Sequence, residues 1–249
     1  MNIFVLDTDP KKAAEYHCDI HVSKMIVEST QMLSTAHHIC PNINYADIKS
    51  VIYKESHKNH PCNIWIRESL ANYNWLFNLA IELCDIYKKR KNRTHASESV
   101  LNNLSWYYPD IPNKPLTPFV LAMDDKYKLS NPVESYHNYY LENKFIEKDI
   151  IRYKYSQIPN WLQMSLAKRI LELPKNDPLR ERAEAFLTGK INEKPVILSV
   201  RKGDKIETKT GAIGYIIKYP SNKEIYIQMW DTNEQIKISK EDIKEIVKS

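Results

Sequence analysis

Glycine is confined to the end of this chain. The 249 residues hold four, Gly189, Gly203, Gly211 and Gly214, and the 188 positions before Gly189 have none. Glycine is the residue that most cheaply adopts positive φ in tight turns. A long glycine-free region with helical periodicity therefore reads as mainly α, and the glycine-bearing remainder as an element built from tight turns. The expected organisation is a compact helical domain over residues 1–190 and a small all-β module over 195–249.

Within the first region, Asn2 to Leu6 is a short apolar run, either a terminal strand or an extended packing segment. Asp9-Pro10 is a helix start, with Pro at an early position, leading into a helix through about Ala36. HKNHP (residues 57–61) connects to a second long amphipathic helix over about Cys62 to Lys91. Its apolar face carries Ile66, Leu70, Tyr73, Leu76, Phe77, Ile81 and Cys84. A proline-rich loop over 109–118 precedes a third helix around Val133 to Lys144, and Asn160 to Gly189 reads as two short helices split by Pro174. The tail alternates apolar and polar residues in five short runs, at 196–200, 204–208, 213–218, 225–230 and 234–238. Five strands in so short a span suggest an SH3- or KOW-like barrel, a fold that binds nucleic acid or peptides without choosing between them.

The first long helix carries the clearest functional signal. His17, His21, Lys24, Glu28 and Gln31 recur at i, i+4, i+7, i+11 and i+14, a sector roughly 80° wide on an α-helix. Ile20 and Val27 flank this stripe on one side and Met25 and Met32 on the other. The ordinary solvent face is expected at Asp19, Ser23, Thr30 and Ser34. A base, an ammonium, a carboxylate and an amide between apolar flanks suit a lined pocket. The plainer alternative is a polar seam with Lys24 and Glu28 as an i,i+4 pair.

Charge permits a nucleic-acid partner without demanding one: the formal net charge is +5 and 27% of residues are charged. No run approaches about 18 apolar residues, and MNIFVLDTDP lacks a basic-then-apolar leader pattern. The expectation is a protein of the cytosol (the host's, if viral) with no membrane partner. Cys18, Cys40, Cys62 and Cys84 never form CxxC and are expected to be free thiols, with neither metal nor cofactor.

DIHVSKMIVESTQML (Asp19 to Leu33) resembles a segment of the pyrimidine-dimer DNA glycosylase family, whose members are compact α-helical enzymes related to the phage endonuclease that cuts at ultraviolet photoproducts. Asp19, Lys24, Val27, Glu28, Gln31 and Leu33 are the shared residues. Lys58 to Tyr73 is similar to a second family segment, sharing Asn59, His60, Pro61 and Trp65, and MNIF is like the family's opening. The likeness covers residues 1–95 well, 110–165 loosely, and excludes the tail.

The resemblance implies a DNA glycosylase, with AP-lyase chemistry, that flips a nucleotide of duplex DNA. An α-amine at the chain start, of Met1 or Asn2, attacks the sugar C1′, a glutamate on the first helix works the sugar, and basic residues hold phosphates. An α-amine has a reference pKa near 8, which leaves a useful neutral fraction at neutral pH. The chain departs from the family where the catalytic glutamate aligns, at His21, leaving Glu28 to supply the negative charge. The catalytic candidates are thus Met1, Asn2, His21 and Glu28. Candidate DNA contacts are Lys24, Gln31, His60, Trp65, Lys88, Arg90, Arg93 and His137, the last beside Tyr136, Tyr139 and Tyr140. Each has a bland counterpart: a seam histidine, a core tryptophan, a solvated helix end. The rival functions are a base- or nucleotide-modifying enzyme on this scaffold and a non-catalytic DNA-binding module.

Overall fold

A computed structural model describes residues 1–148 and 150–171, residues 184 and 188, and the backbone of five strands between 205 and 246. The chain divides into two compact units, Met1–Pro159 and Asn160–Ser249. Glycine content had placed the change of character near residue 190.

The first unit is helical, with no strand among its described residues. Helix α1 (Pro10–Tyr16) begins where Asp9-Pro10 predicted, the Asp9 carboxylate accepting the Lys11 and Lys12 N–H groups at 2.8 and 3.2 Å. It does not continue into α2 (Asp19–Ile39), because His17 and Cys18 are extended. Distant partners hold the break open: the Tyr140 hydroxyl accepts the Cys18 N–H at 3.0 Å and the Arg152 carbonyl accepts the Asp19 N–H at 2.9 Å. His17 therefore leaves the stripe and caps α1.

The short α3 (Tyr45–Ile48) follows α2. The single helix expected over 62–91 is two, α4 (Pro61–Glu68) and α5 (Leu70–Lys91), separated by an extended Ser69. The Ser69 hydroxyl accepts the Ala71 N–H at 3.1 Å and donates into the proline-rich loop at the Pro115 carbonyl, 2.9 Å away. The Leu70 N–H meets the Pro112 carbonyl at 2.8 Å. A serine cap inside a continuous apolar pattern thus becomes a helix start once a loop supplies the bonds that the next turn would have made. Helices α6 (Ser97–Leu104) and α7 (Pro132–Tyr139) follow, α7 passing into a π-helix (Tyr140–Glu147).

Helix α2 packs along α5, with α4 and α6 against both and α1 against α5. Met25, Ile26, Met32 and Leu33 of α2 and Leu76, Leu79 and Leu83 of α5 are almost fully buried. This central position overturns the expected solvent face of α2 at Thr30 and Ser34, which are fully buried, while Asp19 and Ser23 keep partial exposure. The Thr30 hydroxyl bonds the Ile26 carbonyl one turn back at 2.7 Å, and Ser34 accepts the Tyr53 N–H at 3.3 Å, so neither needs water. Ile20, expected as an apolar flank, is 51% exposed. Asn2–Leu6 is a buried packing segment rather than a strand.

In the second unit α8 spans Asn160–Ile170. Strands β1 (Lys205–Thr208), β2 (Ile213–Lys218), β3 (Glu224–Met229), β4 (Gln235–Ser239) and β5 (Ile243–Ile246) form one antiparallel sheet ordered β4-β3-β2-β1-β5. The register slips within β2, between Ile216 and Lys218. The strand expected at 196–200 and the helix break at Pro174 lie outside the described residues, and β5 was not anticipated.

Candidate functional site

The exposed side of α2 forms the floor of a cleft of about 830 Å³. Its α2 lining is Asp19, Ile20, Ser23, Lys24, Val27, Glu28 and Gln31; Tyr87 and Lys91 from α5, with Arg93 just beyond it, and Ile150 and Arg152 complete the wall. Four cations, Lys24, Lys91, Arg93 and Arg152, therefore look onto one groove. Arg93 is anchored by a 2.8 Å bond from Nε to the Tyr87 hydroxyl, and Lys91 lies 4.2 Å from the Tyr155 ring centroid.

At Glu28 the start of the chain meets this floor. The Asn2 backbone nitrogen donates to Glu28 Oε2 at 2.8 Å, the Met1 amine lies 3.8 Å from the same oxygen, and Lys24 Nζ is 3.6 Å from Oε1. The Met1 side chain is packed away, with the Asn63 amide 3.9 Å from its sulfur. A chain beginning at Met1 and one beginning at Asn2 would each place an α-amine against the same carboxylate.

The geometry of the first residues is imposed. The Asn2 side chain folds back to accept the Ile3 N–H at 2.8 Å and donates to the Ala122 carbonyl at 2.9 Å. Two residues on, buried Phe4 sits at φ 37°, a left-handed conformation costly for a bulky residue. Packing over-determines it: Phe4 stacks on His21 with ring centroids 4.7 Å apart, and on Tyr139 at 6.1 Å. Strained backbone beside an amine–carboxylate pair is typical of a site held in one arrangement.

His21 takes no part in the cleft as an acid or base. It is 2% exposed, and its Nδ1 lies 2.8 Å from the Tyr140 hydroxyl. Tyr140 also accepts the Cys18 N–H, so one hydroxyl ties the His21 ring to the start of α2. Burial, with His17 and Lys144 nearby, pushes the His21 pKa down to about 3. His21 is a structural pillar beneath Phe4, and the carboxylate beside the amine is Glu28.

The other candidates divide sharply. Lys24, Gln31 and Arg93 line the cleft. His60 caps α4, its Nδ1 accepting the Cys62 N–H at 3.2 Å; burial, the nearby N-terminal ammonium and His57 lower its pKa against the pull of Glu28. Trp65 is core: it is 2% exposed, donates to the Pro118 carbonyl at 3.0 Å and packs on Trp75 and Phe119. Arg90 pairs with Asp19 at 3.0 Å and bonds the His17 carbonyl, locking the end of α5 to the start of α2. Lys88 is bound to Glu98, and His137 meets the Leu6 carbonyl at 2.8 Å. Tyr136 and Tyr140 are fully buried, leaving Tyr139 partly exposed at the site.

Sequence reading missed Phe4, Tyr87, Lys144 and Arg152, whose places depend on contacts between segments far apart in the chain. Among the described residues no cluster of three His, Cys, Asp or Glu side chains could hold a metal ion, and the four cysteines are unpaired. Among the same residues no helix is long and apolar enough to cross a membrane. Comparison with known protein families, curated proteins and solved structures finds no match to the chain.

Proposed function

We propose that the helical unit acts on DNA through an imine formed by the α-amine of the first residue, in the manner of pyrimidine-dimer glycosylases. The observation that carries this reading is the α-amine held against Glu28 beside a cation-lined groove. The neutral amine attacks C1′ of an extruded nucleotide, and the base leaves with the bonding electrons and a proton. Opening of the sugar ring gives an imine. Loss of a C2′ proton then expels the 3′ phosphate and nicks the strand. Glu28, 3.8 Å from the Met1 amine and 2.8 Å from the Asn2 nitrogen, would take the amine proton and later the C2′ proton once the reacting groups close to hydrogen-bond distance. On a sugar already lacking its base, the same amine condenses with the aldehyde and releases water.

Lys24, Lys91 and Arg93 supply the charge that a phosphate backbone requires. The groove reads the backbone, so lesion or base identity rests on what the extruded nucleotide meets. For the second unit the proposal is an SH3- or KOW-like barrel that adds affinity for nucleic acid or a protein partner. A β5 strand beside β1 and a register slip that bends β2 support it.

The test is borohydride trapping on duplexes carrying an abasic site or a photoproduct, with intact mass to define the first residue. A covalent adduct on the N-terminal peptide is expected. Glu28→Gln should lower nicking at least about a hundredfold, within the usual range for an acid/base group. Absence of both adduct and nick in the unaltered protein removes the imine reading.

A further inference from the structure

We propose that Lys144, with Lys24 and the amine of residue 1, forms an anion site over Glu28 that takes one phosphoryl group. Its biological ligand, the phosphodiester next to the reacting sugar, rests on the function proposed above; its chemistry stands separately.

Lys144 lies on the π-helix Tyr140–Glu147, a backbone form that recurs at functional sites. Its Nζ is 4.6 Å from the Tyr139 ring centroid and 5.8 Å from that of Phe4, so the half-buried side chain rests on the aromatic stack that also positions the chain start. It makes no hydrogen bond or ion pair among the described residues. An ammonium drawn partly out of water without a partner is costly, and an anionic ligand would supply the missing acceptor.

Charge around it is unbalanced. The ammonium groups of Met1, Lys24 and Lys144 all act on or near the single carboxylate of Glu28. Two other acids of this unit are already committed. Asp19 holds Arg90 and accepts the Lys154 N–H, and Glu147 is bound by Lys126, Tyr127 and Asn143. Burial first, and Lys24 after it, push the Lys144 pKa down while Glu28 opposes them, the response of a cation drawn out of water beside another. A phosphoryl group has several acceptor oxygens to spread over these donors, and lysine serves it as a point charge.

The experiment is an amide-resolved NMR titration of the full chain with inorganic phosphate, at ionic strength held constant with chloride, and with dimethyl phosphate as the diester probe. Saturable shifts are expected at Asn2, Glu28 and Lys144. Lys144→Gln should weaken phosphate binding at least about tenfold, as for loss of one charge-assisted bond, and Lys144→Arg should restore it. Lys11→Gln removes an exposed charge on α1 and should leave the titration unchanged. No saturable shift, or a Lys144→Gln titration like that of Lys11→Gln, overturns the site. Dimethyl phosphate shifting the same amides supports the diester, and phosphate binding alone overturns that assignment. Phosphate binding with neither borohydride adduct nor nick keeps the anion site and removes the imine reading; an adduct with no phosphate binding does the reverse.

Discussion

Lowering the pH from 7.5 to 5 should strongly destabilise the helical unit, because three histidines are buried in neutral forms that resist protonation. His17 is fully buried, its Nδ1 2.6 Å from the Ala13 carbonyl and its Nε2 without a partner, and burial pushes its pKa down to about 4. His37, bonded to the Tyr73 hydroxyl at 2.9 Å, is also pushed to about 4 by burial, and His21 to about 3. In the unfolded chain each titrates near 6.5. Between about 6.5 and 4 the unfolded state therefore binds more protons than the folded one, and stability falls with pH. At pH 5 each histidine costs RT ln(1 + 10^1.5), about 2 kcal/mol, and the three together about 6 kcal/mol. That rivals the roughly 5–15 kcal/mol by which a domain is stable. Urea midpoints by circular dichroism at pH 7.5, 6.5, 5.5 and 5 would measure the loss. His37→Gln should flatten the slope by about a third, since each site contributes about 1.4 kcal/mol per pH unit. A midpoint that stays level down to pH 5, or ring-proton resonances of these histidines titrating near 6.5 in the folded protein, would refute the reasoning.

Arg90→Met should destabilise the unit by about 3 kcal/mol, because it strands the Asp19 carboxylate in a largely buried pair; a loss below about 0.5 kcal/mol in chemical denaturation would show the pair to be idle. Binding to duplex DNA should weaken linearly in log salt, and Lys91→Gln and Arg93→Gln should each reduce the slope by about 0.9, the release expected from one phosphate contact. Lys88→Gln, whose ammonium Glu98 already holds, should leave that slope alone. Equal effects of Lys88→Gln and Arg93→Gln would mean that the cleft does not carry the strand.

The helical character of the first unit was legible because glycine is missing and apolar spacing persists. Asp9-Pro10 marks a helix start that holds, and Asn131-Pro132 opens α7 in the same way, each with its side chain accepting the first-turn N–H groups. Where the reading failed, a distant segment had intervened. Ser69 looked like one more residue of a long helix until the proline-rich loop bonded to it, and His17 belonged to the stripe until Tyr140 and Arg152 took the first N–H groups of α2. The burial of Thr30 and Ser34 was invisible for a related reason. Hydroxyls that bond the preceding turn or a neighbouring loop can enter a core without announcing it in the pattern.

The site follows the same division. Spacing alone put Lys24, Glu28 and Gln31 on one face of α2, and all three line the cleft, because side chains three and four apart on a helix are fixed as neighbours by the backbone. Spacing could not tell His21 from Glu28 as the group beside the amine, nor show that Phe4, at φ 37°, bends the first residues onto that carboxylate. Those outcomes depend on what packs over the helix from far away in the chain, where Tyr140 claims one polar side chain and the chain start claims the other. Local periodicity decides which residues share a face; only tertiary burial decides which of them still meet solvent, and that sets charge and reactivity.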